Sequence, residues 1–446
     1  MPLPTEFVDA LSETVPPDQI IFEPTAVKKR SRDYYWFSPK LEEDLSEKSA
    51  DAVYQVRDTP TLREVVGLAF RHEVPLHLRG GATGNFGQAV PLCGGLLIDF
   101  SSFDKIVSFE GDEIWAQAGT RCRTIEDAAR EKGFEMPCYP STWAKATIAG
   151  FAIGGSGGIG GMKHGLLQHN QMIRELSILT IEAEPKEMNL KGDAATDLIH
   201  SFGSVALVTA VKVKLAPKDS WEQAVVCAED FHALFSFAKE LALDRSIPLR
   251  TMCFLEDPLP SYCQPIRKHL PDDQHALLLE VSTAGWPSLK DRIEKNGYTV
   301  PLHIPHQEPR RSPMLSDFVQ GHSLLWAMKA DKRLASVSVF LSIENWAAEL
   351  DRIREQLDAS SFIQADFHRT DTELFMQSSI LFPYKGQSHL EASLQTLREM
   401  GILRFNSHDP FIGSKLNPDR LKAKLDMKAK LDPHGLLSPG RFGAMT

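Results

Sequence analysis

The sequence predicts an α+β protein built from a glycine-rich N-terminal region and an antiparallel sheet that carries helices on one face. Three observations lead to this fold class. Strand and helix patterns alternate as far as Pro217, and beyond it the order strand, helix, strand, strand, helix, strand occurs twice. The chain has 446 residues, of which 42% are hydrophobic, enough for two or three domains with a sizeable core.

In the N-terminal region, Asp58 and Pro60 predict the start of a helix whose apolar face follows the helical period, and "VPLHL" predicts the next strand. Thr124 and Asp127 form a capping-box pattern, which predicts a helix that stops at Gly133. The β-branched run "VALVTAVKVKLAP" predicts a strand that closes this region.

The second region predicts two β-α-β-β-α-β units. The first comprises "QAVVCAE", helix 231–243, "RTMCFLE", "ALLLEVS", helix 287–297 and "YTVPLHI"; the second comprises "SVSVFLSI", helix 345–357, "FIQADFH", "LFMQSSILF", helix 389–400 and "ILRFN". Joined together, the units form one broad sheet whose second face is left for a ligand or a neighbouring domain.

Composition limits the partners. The formal net charge is −10 without a basic stripe, which disfavours nucleic acid and anionic membranes and favours a small-molecule substrate. The N-terminus lacks a basic start and an apolar core, and no run is long enough to be an integral membrane segment, so a cytoplasmic protein is expected. The six cysteines form no C-x-x-C motif and are expected to be free thiols.

The stretch "AIGGSGGIGGMKHG" matches G-x-G-x-x-G at Gly155, Gly157 and Gly160. A nicotinamide site would require a helix directly after the last glycine, but Gly161 and Gly165 disfavour one. A second glycine cluster, "RGGATGNFG", lies about 70 residues earlier, and neither cluster is a P-loop. The sequence therefore predicts two loops that converge on one long anionic cofactor through backbone N–H groups.

Four segments in order resemble a known family. They are "PLHLRGGATGNFGQAVPLCGGLLIDFSSFDKI", "STWAKATIAGFAIGGSGGIGGMKHGLLQHNQMIRELSILT", "DLIHSFGSVALVTAVKVKLAP" and "LDPHGLLSPGRF". They are similar to segments of the FAD-linked oxidases and dehydrogenases of the vanillyl-alcohol oxidase and glycolate oxidase D-subunit type, which share a PCMH-type FAD-binding domain. The chain departs from the family at Val205 to Leu207, where Gly-Ile or Gly-Leu is usual, and at Ser438 and Arg441, which replace Asn and Lys.

The resemblance implies an FAD-binding domain over 1–216, with a core at about 46–216, a substrate cap over 217–411 and a tail over 412–446 that returns to the FAD domain. It implies FAD contacts from residues of both glycine loops and the strand that follows them. The implied residues are Arg79, Gly80, Gly81, Ala82, Thr83, Gly84, Asn85, Gly87, Gln88, Pro91, Ser141, Thr142, Thr147, Gly150, Gly154, Gly155, Gly157, Gly158, Gly161 and Val208.

Some family members attach the flavin covalently to a histidine or a cysteine in these loops. Thr83 and Lys145 occupy those places here, so we expect FAD to bind non-covalently, while attachment to a cap histidine stays open. The electron acceptor also stays open between oxygen, a quinone, a cytochrome and a partner flavoprotein.

For catalysis, the resemblance implies oxidation of a small alcohol or 2-hydroxy acid by hydride transfer to FAD, with a cap histidine as base. His408 in "FNSHDPF" is the first candidate and His322 in "GHSLLWAMKAD" the second. Lys329 and Arg369 are candidate cations for a substrate carboxylate. The alternative function is a flavin-binding protein that is catalytically silent and serves interaction or sensing.

Some relatives carry a metal-binding His-x-Gly-Asp-Gly-Asn-x-His segment, which is absent here. "LHIPHQE" offers only His303, His306 and Glu308, and Pro305 interrupts the spacing. No metal is therefore expected.

Overall fold

A computed structural model describes residues 2–155, 157–308 and 314–443. The N-terminal region contains a four-stranded sheet (order β1-β2-β4-β3), a five-stranded sheet (β5-β6-β10-β8-β9) and a two-stranded pair (β11-β7). Its strands are β1 (Ile20–Ile21), β2 (Ala52–Gln55), β3 (Leu76–Arg79), β4 (Leu96–Asp99), β5 (Ile106–Glu110), β6 (Glu113–Gln117), β7 (Phe134–Glu135), β8 (Ile173–Leu179), β9 (Glu187–Lys191), β10 (Leu207–Lys214) and β11 (Ala216–Pro217). Its helices are α1 (Thr5–Thr14), α2 (Pro24–Arg30), α3 (Pro39–Leu45), α4 (Thr59–Arg71), α5 (Cys122–Glu131), α6 (Ile148–Gly154) and α7 (Asp193–Leu198).

Local sequence explains α4 but not α5. At α4 the Asp58 side chain accepts a hydrogen bond from the Thr61 N–H at 2.8 Å, as the sequence predicted. The capping box predicted at Thr124 is wrong, because α5 already begins at Cys122 and has no side-chain cap. The carbonyl of Ala146 accepts the Cys122 N–H at 2.9 Å instead, so a distant segment caps this helix.

The second region forms one eight-stranded antiparallel sheet, here called the cap sheet, in the order β15-β12-β14-β13-β17-β18-β16-β19. The first unit supplies β12 (Trp221–Ala228), β13 (Leu249–Leu255), β14 (His275–Ser282) and β15 (Thr299–Ile304); the second supplies β16 (Leu334–Val339), β17 (Phe362–Arg369), β18 (Leu374–Pro383) and β19 (Leu403–Phe405). The associated helices are α8 (Phe231–Leu243), α9 (Leu259–Tyr262), α10 (Gln264–Arg267), α11 (Trp286–Lys295), α12 (His322–Ala330), α13 (Trp346–Gln356) and α14 (Gln387–Glu399). The units join edge to edge, with Cys253 of β13 opposite Asp366 of β17.

The predicted α+β class and the repeated unit are confirmed. Helices α8, α11, α13 and α14 pack on one face of the cap sheet and share a core with alternate strand residues such as Phe254 and Val337. The opposite face, called the inner face, is turned towards the N-terminal region.

After the cap sheet the chain returns to the N-terminal region through α15 (Pro418–Leu431) and the segment that follows it. Leu437 forms a parallel bridge with Leu76 of β3. The Arg441 side chain is buried and donates to the carbonyls of Gly87 at 2.9 Å, Pro410 at 3.0 Å and Val90 at 2.5 Å. The tail therefore joins the first glycine loop to the exit from the cap sheet.

Candidate functional site

A cavity of about 980 Å³ lies between the N-terminal region and the inner face of the second unit. One side is formed by the first glycine loop, by α6 with its flanking glycines, and by the turn at residues 200–203. The other side is formed by α12 and by strands β16 to β19. Volumes of this size are at the upper end of those found for small-molecule and cofactor sites.

The two glycine segments meet at this cavity. A Cβ atom on Gly80 would collide with the Thr147 hydroxyl, and one on Gly81 would collide with the carbonyl oxygen of Lys145. Glycine is therefore required here because the segments approach too closely for a Cβ atom, as the sequence predicted for two converging loops. Thr147 also caps α6, since its hydroxyl accepts the Gly150 N–H at 3.3 Å.

The cavity brings together most of the residues predicted to contact a cofactor. Those that line it are Arg79, Gly80, Gly81, Ala82, Thr83, Gly84, Asn85, Gln88, Ser141, Thr142, Thr147, Gly150, Gly154, Gly155, Gly157 and Val208. Arg79 is among them, but its guanidinium is engaged by other protein groups. It donates to the carbonyls of Arg30 and Arg32 at 2.5 and 2.9 Å.

Four residues of the predicted set do not line the cavity. Gly87 gives its carbonyl to Arg441, and Pro91 is buried beside Val90 in the same contact. A Cβ on Gly158 would meet the Cys138 sulfur, and one on Gly161 would meet the His368 ring. These glycines allow close packing behind the loop rather than contact with a ligand.

His322 is the predicted catalytic residue that reaches the cavity. It begins α12, after Gln320 and Gly321, which both have positive φ angles of 56° and 83°. Its Nε2 lies 2.7 Å from the Ser141 hydroxyl of the second glycine segment. Burial lowers its pKa to about 4, so the imidazole is neutral at pH 7 and has a lone pair that can accept a proton.

The structure argues against the predicted role of His408. Its side chain is fully buried, with Nδ1 2.8 Å from the Ser38 hydroxyl and Nε2 2.7 Å from the Ser336 carbonyl. His322 also has protein partners at Ser141 and at the Asp317 backbone, so the difference between the two histidines is that His408 does not line the cavity. His408 instead ties the tail side of the cap sheet to α3, for which Ser38 is the N-cap.

The predicted cations are also placed elsewhere. Lys329 is exposed at the end of α12, with its ammonium 5.6 Å from the centre of the Trp326 ring. Arg369 donates to the backbone carbonyls of Ala242 and Asp244, so it fastens the end of β17 to the end of α8. Neither side chain lines the cavity.

A cation that sequence reasoning missed does line it. Ser338 pairs with Phe405 and Val339 with Leu403, which leaves Arg404 as the extra residue of a β-bulge. Its guanidinium lies 5.7 and 5.4 Å from the ring centres of Phe340 and Phe405. Within the described ranges it has no hydrogen bond or ion pair, and burial lowers its pKa to about 10.

Asp366 was missed as well. Its carboxylate lines the cavity and accepts hydrogen bonds from the Gln320 N–H and the Gln364 side chain, both at 3.0 Å. Burial raises the pKa of Asp366 to about 6. The bond to Gln320 holds the left-handed backbone that precedes His322. Sequence alone offered no indication of it, because Gln320 and Asp366 lie 46 positions apart.

Comparison with known proteins decides which cofactor the glycine segments serve. A family model described as an FAD binding domain matches residues 50–184, which include both segments. The chain carries an FAD-binding domain. FAD is its cofactor, as the sequence predicted.

Curated relatives extend the likeness beyond the FAD-binding domain. The glycolate oxidase subunit GlcD of Bacillus subtilis is 24% identical over 421 residues, which cover 88% of this chain and 89% of that protein. The D-lactate dehydrogenase of Archaeoglobus fulgidus is 26% identical over 167 residues, about a third of each chain (34% and 36%). The chain is therefore similar to FAD-linked oxidoreductases over most of its length.

Solved structures show the same fold at low identity. An alkyldihydroxyacetonephosphate synthase aligns with a TM-score of 0.75 at 14% identity and covers 98% of this chain and 85% of that one. A p-cresol methylhydroxylase with substrate bound aligns with a TM-score of 0.73 at 13% identity and covers 99% and 98%. The fold is that of PCMH-type FAD proteins, as predicted.

The residues at the cavity fit FAD. The charged residues that line it are Arg79, Arg404, Lys415 and Arg420, and Asp366 and Glu373. Arg79 and Lys415 donate to protein carbonyls, which leaves Arg404 and Arg420 for an anionic group such as a diphosphate. One buried polar atom of a residue at its wall, Gln168 Oε1, has no hydrogen-bond partner in the described structure. A donor group of a ligand would satisfy it.

No helix among the described residues is long and apolar enough to cross a membrane. No cluster of three or more His, Cys, Asp or Glu side chains among them is arranged to hold a metal ion. His303 instead contacts Glu222 at 2.8 Å.

Proposed function

We propose that this protein oxidises the alcohol carbon of a small hydroxy acid, with FAD as the hydride acceptor. The observation that carries the proposal is that His322 and Arg404 line the same cavity as the two glycine segments. One side chain can accept a proton and the other can bind an anion, which are the two groups that oxidation of a hydroxy acid requires.

His322 is proposed as the base. When bound, FAD would supply the electron sink for the hydride of the substrate C–H bond. The neutral His322 imidazole takes the hydroxyl proton at Nε2, so the alcohol carbon becomes a carbonyl and loses two electrons and two protons in all. Ser141 lies 2.7 Å from that nitrogen, and its hydroxyl keeps the ring oriented until the substrate hydroxyl arrives.

Arg404 is proposed to bind the substrate carboxylate. The guanidinium forms no ion pair among the described side chains, although the Asp366 carboxylate in the same cavity attracts it, and a ligand anion would complete its pairing. Phe340 and Phe405 border the guanidinium, whose fork of donors suits a bidentate contact with a carboxylate. The names of the relatives refer to glycolate and D-lactate, which are both small hydroxy acids.

The test is anaerobic reduction of the bound flavin. Purified protein is mixed with glycolate, D-lactate and L-lactate, and with ethylene glycol and propane-1,2-diol as uncharged counterparts. We expect at least one acid to bleach the visible flavin band and its uncharged counterpart to fail. Reduction by dithionite alone would favour the silent, flavin-binding alternative.

The predicted non-covalent attachment has a separate test. Thr83 lines the cavity and Lys145 meets Gly81 through its backbone, so neither place offers a histidine or cysteine for attachment. Acid precipitation should release intact FAD into the supernatant. Yellow colour that stays with the precipitate would show attachment to another residue, and His169, His200 and His322 are the histidines that line the cavity.

A further inference from the structure

The turn at residues 197–204 forms part of the cavity wall and is strained. His200, Phe202 and Gly203 all line the cavity, and all have positive φ angles, of 60°, 53° and 63°. Non-glycine residues adopt this conformation at a cost, which the surroundings must offset. The Phe202 N–H donates to the Ile153 carbonyl at 2.7 Å, so the turn also packs on the end of α6.

The tail binds this turn from the side away from the cavity. The Lys424 ammonium of α15 is buried and donates to the carbonyls of Asp197 and Ile199, the latter at 2.8 Å. One helical turn later, the Lys428 ammonium donates to the Ser204 carbonyl at 2.8 Å. The Ser438 hydroxyl donates to the Gly203 carbonyl at 3.4 Å.

These contacts orient the carbonyl groups of the turn towards the tail. Four of its carbonyls, at residues 197, 199, 203 and 204, accept bonds from the tail. The N–H of Gly203 donates to none of the residues that the structure describes. The N–H groups of Ile199, Phe202 and Ser204 donate to the carbonyls of Thr196, Ile153 and Ser201, which leaves the Gly203 N–H of this turn for an anion.

We propose that Lys424 and Lys428 are positioning residues for FAD: they hold the carbonyls of the 197–204 turn outwards, so that the Gly203 N–H is preformed for the cofactor. The tail thus serves cofactor affinity, although neither lysine lines the cavity. The proposal concerns binding of FAD and does not depend on which substrate is oxidised.

The experiment measures FAD affinity of the apoprotein. Lys424→Met and Lys428→Met keep the length of the side chain and remove its donors. Quenching of flavin fluorescence gives the dissociation constant, and we expect it to rise about tenfold or more in each variant. Lys422→Met is the matched control, because Lys422 is exposed on the same helix and pairs with Asp426; its constant should not change.

Two further readouts separate positioning from general stabilisation. The melting temperature of each apoprotein reports stability, and visible circular dichroism of the bound flavin reports the geometry of its surroundings. An altered flavin dichroism together with weaker binding supports the proposal. A lowered melting temperature with a dissociation constant within twofold of the parent would overturn it. Should Lys424→Met fail to fold, Lys428→Met and Ser438→Ala decide by the same criterion.

Discussion

The two units of the cap sheet share one pattern of strands and helices but differ on the inner face. In the first unit this face is apolar, and its strand residues join the core of the N-terminal region; they include Val225, Cys227, Cys253, Leu255 and Leu278. In the second unit the corresponding face is mostly polar and lines the cavity; it includes Ser336, Ser338, Asp366, Gln377 and Ser379. The outer faces of both units are apolar and carry helices.

This difference shows how a repeated unit can serve two purposes. Strand residues alternate between faces, so the inner face can change from apolar to polar without disturbing the helix-covered face. The first unit fixes the position of the cap sheet by burying apolar area. The second unit leaves its inner face polar, and this polar face lines the cavity.

The largest expected effect lies in the connection between the units. His322→Ala should slow substrate-driven flavin bleaching by about a hundredfold to ten-thousandfold, the usual contribution of a positioned base. FAD content should stay normal. His303→Ala is the control in the first unit, since His303 contacts Glu222 and stacks on Trp286 away from the cavity. Anaerobic stopped-flow absorbance is the measurement, and equal rates in both variants would contradict the assignment.

Leu278→Ala tests the supporting role of the first unit. Leu278 is fully buried on the inner face, so its truncation should lower the free energy of unfolding by about 2–5 kcal/mol. Ser338→Ala is the counterpart in the second unit and should cost less than about 1 kcal/mol, because it removes no apolar packing. Chemical denaturation of both variants would refute the comparison if Ser338→Ala were the more damaging.

Arg404→Met tests anion binding by the second unit. We expect kcat/KM for an anionic substrate to fall about a hundredfold, since a charge-assisted contact is lost. Activity on the uncharged counterpart should not fall. Arg292→Met is the control, because Arg292 pairs with Asp244 on the helix side of the first unit. A similar loss for charged and uncharged substrates would mean that Arg404 does not bind the anion.

The smallest expected effect is a pH dependence from Asp366. Burial raises its pKa from 3.8 to about 6, so the folded state binds its proton more tightly than the unfolded state. This carboxyl therefore reduces the stability of the parent as pH rises from 4 through 6. Relative to Asp366→Asn, the parent should lose about 1–3 kcal/mol over that interval. Urea denaturation at several pH values would show a constant difference if Asp366 ionised normally.

Sequence reasoning succeeded where structure is local. The repeated units were predicted because each strand and helix carries its own period, and helix 231–243 matches α8 (Phe231–Leu243). It failed where a residue far away in the sequence determines the start of a helix or the role of a side chain. The start of α5 depends on Ala146, and the role of His408 depends on Ser38, which lies 370 positions away. Helix α6 was not predicted because glycines surround it.

The residues of the candidate site also fall into those that could be predicted from local sequence and those that depend on distant partners. The glycine segments were recognisable because close approach of two loops demands glycine in a short stretch, as at Gly80 and Gly81. Arg404 was not recognisable, since its exposure to the cavity arises from a β-bulge against β16. Nor was Asp366, whose burial is set by strands from both units.

The contacts of Arg441 bear on the order in which the protein folds and binds its cofactor. The bond to Gly87 joins residues 354 positions apart, so the ribosome completes the first glycine loop long before its anchoring side chain exists. The same holds for the carbonyls that Lys424 and Lys428 satisfy, more than 220 positions earlier in the chain (225 and 224). Loop closure over such distances is slow compared with local folding. Capture of FAD should therefore be a late event, after the cap sheet has formed.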